Sequence, residues 1–145
     1  MIASQNQNNS PIKIEAIDHI VIRIVDLEKM LDFYCGVLGC EIERREENIG
    51  LIQLRAGSAL IDLVPVDGEL GAQGGAAPGK GGRNMDHFCL RLALFNAEAI
   101  SRYLENSGVP PGEVKSRYGA QGQGPSIYIK DPEGNVVELK GDSIS

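Results

Sequence analysis

The chain has only two histidines, and they occupy the same place in two similar octapeptides: His19 in IDHIVIRI, residues 17–24, and His87 in MDHFCLRL, residues 85–92. Asp18 and Asp86 precede them, and Arg23 and Arg91 follow at a constant offset. A second pair is Ile61-Asp62-Leu63 and Val137-Glu138-Leu139, each an acid between apolar neighbours. Strand side chains alternate between faces, so if the apolar neighbours face a core, Asp62 and Glu138 point the other way. Where that other face is the concave inside of a curled sheet, two imidazoles and two carboxylates converge. Such a donor set suits one divalent ion, Zn, Ni, Co, Mn or Fe, and ligand type alone does not choose among them.

The elements that must position these residues occur twice. Residues 14–25 are dense in β-branched apolar side chains and predict a strand. Asp26 is placed to cap a helix whose apolar stripe is Leu27, Met30, Leu31, Tyr34, Val37 and Leu38, with Gly39 at its end. Three strand candidates follow at residues 40–45, 50–55 and 59–66. The second half repeats the order: a strand at 85–92, a helix from the Asn96 cap to about residue 106, a short strand at 112–117, and a hairpin of 126–130 with 136–140. The turn of that hairpin is Asp131-Pro132-Glu133-Gly134-Asn135, with proline where φ is fixed and glycine where φ turns positive. The chain therefore reads as an α+β fold of two paired βαβββ modules forming a half-open curled β-sheet. Residues 1–13 read as a disordered leader and 14–141 as one domain: module one at 14–66, a glycine-rich linker at 67–83 and module two at 84–141. The linker, DGELGAQGGAAPGKGGR, has few large apolar side chains and reads as a flexible connection or a mobile loop over a site.

The totals exclude several classes. With 145 residues the chain is long enough for one core. A formal net charge of -6 argues against nucleic acid as the main partner, though not against a small anion at a locally positive site. No apolar run approaches the roughly 18 residues that cross a membrane, and the polar start MIASQNQNNSP has no secretory core. Cys35, Cys40 and Cys89 are odd in number and form no CxxC, which fits isolated thiols in a reducing cytoplasm.

Four stretches, IDHIVIRIVDLEKMLDFYCGVLGCEI, ALIDLVP, NMDHFCLRL and PSIYIKDPEGNVVELKG, together with their spacers cover residues 14–141. In them the chain resembles the vicinal oxygen chelate superfamily, also called the glyoxalase/bleomycin resistance/dioxygenase superfamily. The resemblance implies a metal held by His19, Asp62, His87 and Glu138, a homodimer and a small-molecule substrate. It implies a lyase or isomerase like lactoylglutathione lyase, working through a metal-stabilised enediolate or enolate, with Glu138 and Asp62 as proton carriers. Asp62 is a methylene shorter than the Glu or Gln usual in four-ligand relatives. Arg23 matches an arginine that contacts glutathione, while Val66 stands where those enzymes have Asn. Tyr128 matches a tyrosine of extradiol dioxygenases, and Ser126 with Tyr128 matches a pattern of fosfomycin-resistance transferases, which carry Thr where this chain has Val21. Arg23, Ser126 and Tyr128 are thus the substrate-binding candidates. The alternatives are an extradiol-type dioxygenase and a metal-free small-molecule or antibiotic-binding resistance protein.

Overall fold

The computed structural model describes residues 10–142, so most of the leader at 1–13 lies outside the described residues. Two four-stranded sheets carry the same order, β1-β4-β3-β2 and β5-β8-β7-β6. Their strands are β1 His19–Ile24, β2 Glu41–Glu46, β3 Leu51–Ala56, β4 Ala59–Pro65, β5 His87–Arg91, β6 Lys115–Gly119, β7 Gly122–Lys130 and β8 Val136–Lys140. β1 runs parallel to β4, and β5 to β8; the other pairings are antiparallel. The fold is a curled α+β sheet built twice, and the sheets do not close into a barrel.

Several boundaries differ from the sequence reading, and the two largest shifts have a physical reason. β1 starts at His19, not at residue 14. Its partner β4 starts only at Ala59, after the Gly57 turn, so residues 11–18 have no strand to pair with and stay exposed. β7 starts at Gly122, four residues earlier than the apolar pattern suggests. GQGP has little apolar content, yet β6 supplies a pairing partner for each of its residues.

Asp26 caps the first helix as its residue type predicts, accepting from Lys29 N at 3.1 Å. The helix then changes winding. α1, Leu27–Leu31, passes into a π-helical turn at Asp32–Val37, closed at Gly39 with φ +82 and a Cys40 N to Tyr34 O bond of 2.9 Å. The wider turn brings Phe33, which is off the expected stripe, into the core beside Tyr34, with ring centroids 4.9 Å apart and edge-to-face. α2, Glu69–Ala72, lies inside the glycine-rich segment. α3, Ala97–Asn106, starts from Asn96, whose side chain accepts from Ala99 N at 3.0 Å.

One core serves both modules. Ile22, Ile24, Met30, Tyr34, Leu54 and Leu63 from the first pack in the same cluster as Leu104, Ile127, Ile129, Val137 and Leu139 from the second. Polar side chains then join the halves. Tyr34 Oη donates to Asp131 Oδ2 at 2.7 Å, and Asp131 also accepts from Glu133 N, Asn135 N and Asn135 Nδ2, each at 2.9 Å. Burial and the Asp131 carboxylate hold the Tyr34 hydroxyl well above its ordinary pKa, so it remains a donor. β1 and β5 are edge strands, and an open edge leaves main-chain groups without partners. Near the end of β1 and just beyond it, side chains meet some of them. The Asn84 amide takes Arg23 N and gives to Arg23 O, and the Glu133 carboxylate accepts from Val25 N and Asp26 N.

Tyr34→Phe removes one donor from a buried carboxylate while leaving the ring in place. The expected loss is about 1–2 kcal/mol of unfolding free energy, read from the urea midpoint at constant slope. An unchanged midpoint would mean that this bond does not join the modules.

Candidate functional site

Each module begins its first strand with a histidine and places a carboxylate on the neighbouring last strand. In module one, His19 Nδ1 lies 2.8 Å from Asp18 Oδ2, and Nε2 lies 3.9 Å from Asp62 Oδ2. In module two, His87 Nδ1 lies 2.6 Å from Asp86 Oδ2, and Nε2 lies 3.2 Å from Glu138 Oε1. Asp18 and Asp86 are acceptors, so each draws the ring proton to Nδ1 and leaves a lone pair on Nε2. That lone pair faces a carboxylate oxygen. Two such atoms repel unless a cation lies between them, either a proton or a metal ion. The His19 pKa is accordingly raised, first by its hydrogen bond to Asp18 and next by the charge of Asp62. The donor chemistry fits a divalent ion, and the Asp-to-Nδ1 bond is the orienting contact that metal-binding imidazoles normally have.

The four residues do not gather within one chain. His19 and Asp62 are on the first sheet and His87 and Glu138 on the second. Among the described residues no three His, Cys, Asp or Glu side chains form a group that could hold a metal. Convergence would require β1 and β5 to meet, and in one chain they are the unpaired edges of separate sheets.

The two carboxylates are held differently. Asp62 is buried, and Gln53 Nε2 donates to both its oxygens at 3.2 and 3.1 Å. Glu138 is also buried, and among the described residues its one side-chain polar contact is His87 Nε2. Cys89 and Tyr128 are its neighbours in register on either side. Partial desolvation, then the Glu138 charge, push the Cys89 thiol up to about 11, so it is a thiol and not a thiolate at neutral pH.

Of the substrate-binding candidates, Tyr128 packs edge-to-face on His87, with centroids 5.3 Å apart, and Arg117 lies 4.3 Å over its ring. Ser126 is fully buried, and both its hydroxyl and carbonyl oxygens accept from Arg117 Nη1. Arg23 has a different setting. Its Nε, Nη2 and Nη1 donate to Gly71 O, Gly75 O and Ala76 O at 2.9, 2.6 and 3.0 Å, clasping the glycine-rich segment. A Cβ on Gly74 would lie 2.4 Å from Arg23 Nε, so a side chain there would have to displace the guanidinium. Gln53 and Arg117 escaped the sequence reading. The signal that would have found them is register: Gln53 lies opposite Asp62, and Arg117 lies opposite Gly124, two residues from Ser126.

Residues 16–139 match the model of the glyoxalase/bleomycin resistance protein/dioxygenase superfamily. The chain is 27% identical to the mitochondrial methylmalonyl-CoA epimerase of Mus musculus, covering 94% of this chain and 79% of the relative. It is 28% identical to a lactoylglutathione lyase of Arabidopsis thaliana, covering 83% of this chain and 42% of that protein. The crystal structure of a virulence protein from Salmonella typhimurium superposes with a TM-score of 0.75 at 26% identity, covering 91% of this chain and 100% of that one.

The clasp has a testable consequence. Arg23→Ala removes three hydrogen bonds from the segment that contains Lys80. Trypsin cleavage after Lys80 in the native protein should quicken about tenfold, the ratio that corresponds to about 1.4 kcal/mol of local opening. Equal cleavage rates would mean that the segment is held by other contacts.

Proposed function

The chain belongs to the glyoxalase/bleomycin resistance protein/dioxygenase superfamily, and on that footing we propose that it is a metal-dependent lyase or isomerase for a small oxygen-bearing substrate, acting as a cytoplasmic homodimer. The observation that carries this reading is the pair of imidazoles, each oriented by an Asp on Nδ1 and each presenting Nε2 to a carboxylate. His19, Asp62, His87 and Glu138 would hold one divalent ion: Zn, Ni, Co, Mn or Fe. Since the two pairs lie on separate sheets of one chain, a second copy completes the site, module one of each chain facing module two of its partner.

When bound, the ion supplies Lewis acidity toward neighbouring oxygens of the substrate. The rest is done by this chain. Glu138, without the amide that fixes Asp62, takes a proton from the carbon beside the polarised oxygen. It then returns that proton to a neighbouring carbon on the same face, so no external acid or base is consumed; inversion at one carbon would instead need a second carrier on the opposite face, the role open to Asp62. Asp62, held by Gln53, keeps its oxygens toward His19. The names of two relatives, an epimerase and a lyase, support a proton-transfer reaction. No helix among the described residues is long and apolar enough to cross a membrane, and the three free thiols suit a reducing compartment.

Metal analysis of the untagged protein should give about one divalent ion per chain, lost in both His19→Ala and His87→Ala. Co-refolding the two variants in equal amounts should restore about a quarter of the wild-type content. Half the dimers would then be mixed, each with one intact site. No recovery would place the site within one chain. No ion in any preparation, even after reconstitution, would turn the reading to a metal-free binding protein.

A further inference from the structure

The two halves repeat each other closely, and a difference between them marks a site. In register, Arg23 lies beside Val64 in module one, and the equivalent pair in module two is Arg91 beside Lys140. Arg23 is committed to the carbonyls of its loop. Among the described residues Arg91 has one contact with an acid, 3.9 Å to Asp142, the side chains being 49% and 66% exposed, and such a pair contributes little. Lys140 is 6% exposed, and its Nζ donates only to main-chain carbonyls, Gly122 O at 3.0 Å and Gly141 O at 3.3 Å. It pairs with no carboxylate among the described residues. A Cβ on Gly119 would lie 2.9 Å from Lys140 Cε, so that glycine leaves room for the lysine; one on Gly124 would meet the Gly141 and Asp142 carbonyls at 2.8 Å and Lys140 Nζ at 2.9 Å.

An ammonium has three protons to donate, and a buried cation without a counter-ion is costly. Lys140 and Arg91 line one cavity of about 190 Å³ together with Cys89, Tyr118 and Glu138. Glu138 shares that wall while presenting Oε1 to His87. The cavity thus shares Glu138 with the proposed metal half-site, and with Lys140 and Arg91 against that one carboxylate its lining is net positive in a chain whose net charge is -6.

We propose that this cavity takes a compact oxyanion of the substrate, a carboxylate or a phosphate-type group, through Lys140 and Arg91, while the reacting carbon lies at Glu138. The inference rests on the function proposed above and narrows its substrate to a small molecule carrying a second, anionic end. The space suits one such group and not a nucleotide. Anion recognition here is a property of module two alone, because Val64 replaces the lysine and the loop takes the arginine in module one.

The test is amide NMR of the full-length protein titrated with malonate, inorganic phosphate and, as a neutral control, malonamide. Both anions or one of them should shift the amides of Gly119, Ala120, Gln121 and Gly141, with malonamide inactive, and the tighter anion identifies the chemistry. Lys140→Met and Arg91→Gln should each weaken that binding about tenfold or more. Arg91 is half exposed, so the second variant decides the matter if the first fails to fold. Absent shifts in the wild type, or shifts that persist unweakened in the variants, would overturn the proposal. Metal content measured on the same preparations separates the two readings: loss of the anion site leaves the bound ion in place, whereas failure of the metal reading shows as no ion with the anion shifts intact.

Discussion

A single buried carboxylate holds the architecture together. Asp131 accepts from one hydroxyl, two main-chain amides and one side-chain amide, and these donors come from both halves of the chain. No strand of one sheet pairs with a strand of the other, so the halves meet through the core and a few side-chain bonds: this junction, Asn84 on Arg23, Glu133 on Val25 and Asp26, and Tyr103 on Val37 O. The hydrophobic core supplies most of the attraction but little orientation, since it is non-directional. Hydrogen bonds to a desolvated carboxylate are directional, and leaving them unmade is costly. The same turn sends Glu133 to the edge of β1, so one five-residue loop fixes the angle between the modules and closes an exposed strand margin.

That arrangement explains how the site is divided. The histidines open β1 and β5, the strands that lie at the sheet edges, and the carboxylates sit one strand inward on β4 and β8. Each half thus carries a complete pair, oriented by its own aspartate. The halves then differ in what surrounds the pair. Module one has an amide on its carboxylate and an arginine spent on a loop; module two has an aromatic ring, a stacked guanidinium and a cationic cavity. Duplication with divergence leaves one pair braced by an amide and the other beside an aromatic ring and a cavity with two cations.

Much of this was legible in the residues. The repeat of strand, helix and three strands follows from apolar periodicity, and the caps at Asp26 and Asn96 follow from residue type. That His19, Asp62, His87 and Glu138 belong together as candidates follows from strand alternation with the repeat, whereas their sorting into one pair per sheet does not. What was not legible depends on contacts distant in sequence. The true start of β1 is set by where β4 begins, the burial of Phe33 by a π-turn, and the role of Arg23 by a loop some fifty residues away. Likewise the Asp131 turn reads locally as a hairpin, and nothing in its five letters announces that Tyr34 lies across from it.

The bonds across the module boundary bear on how such a chain can be recombined. A crossover in the glycine-rich segment would leave both sheets whole, so it looks like a natural breakpoint for building chimeras from two parents. It would nonetheless separate Tyr34 from Asp131 and Arg23 from Asn84, and it would divide one core into two inherited parts. Parents that agree at those positions would exchange halves freely. Parents that differ there would yield hybrids with intact histidine–carboxylate pairs and no fixed angle between them.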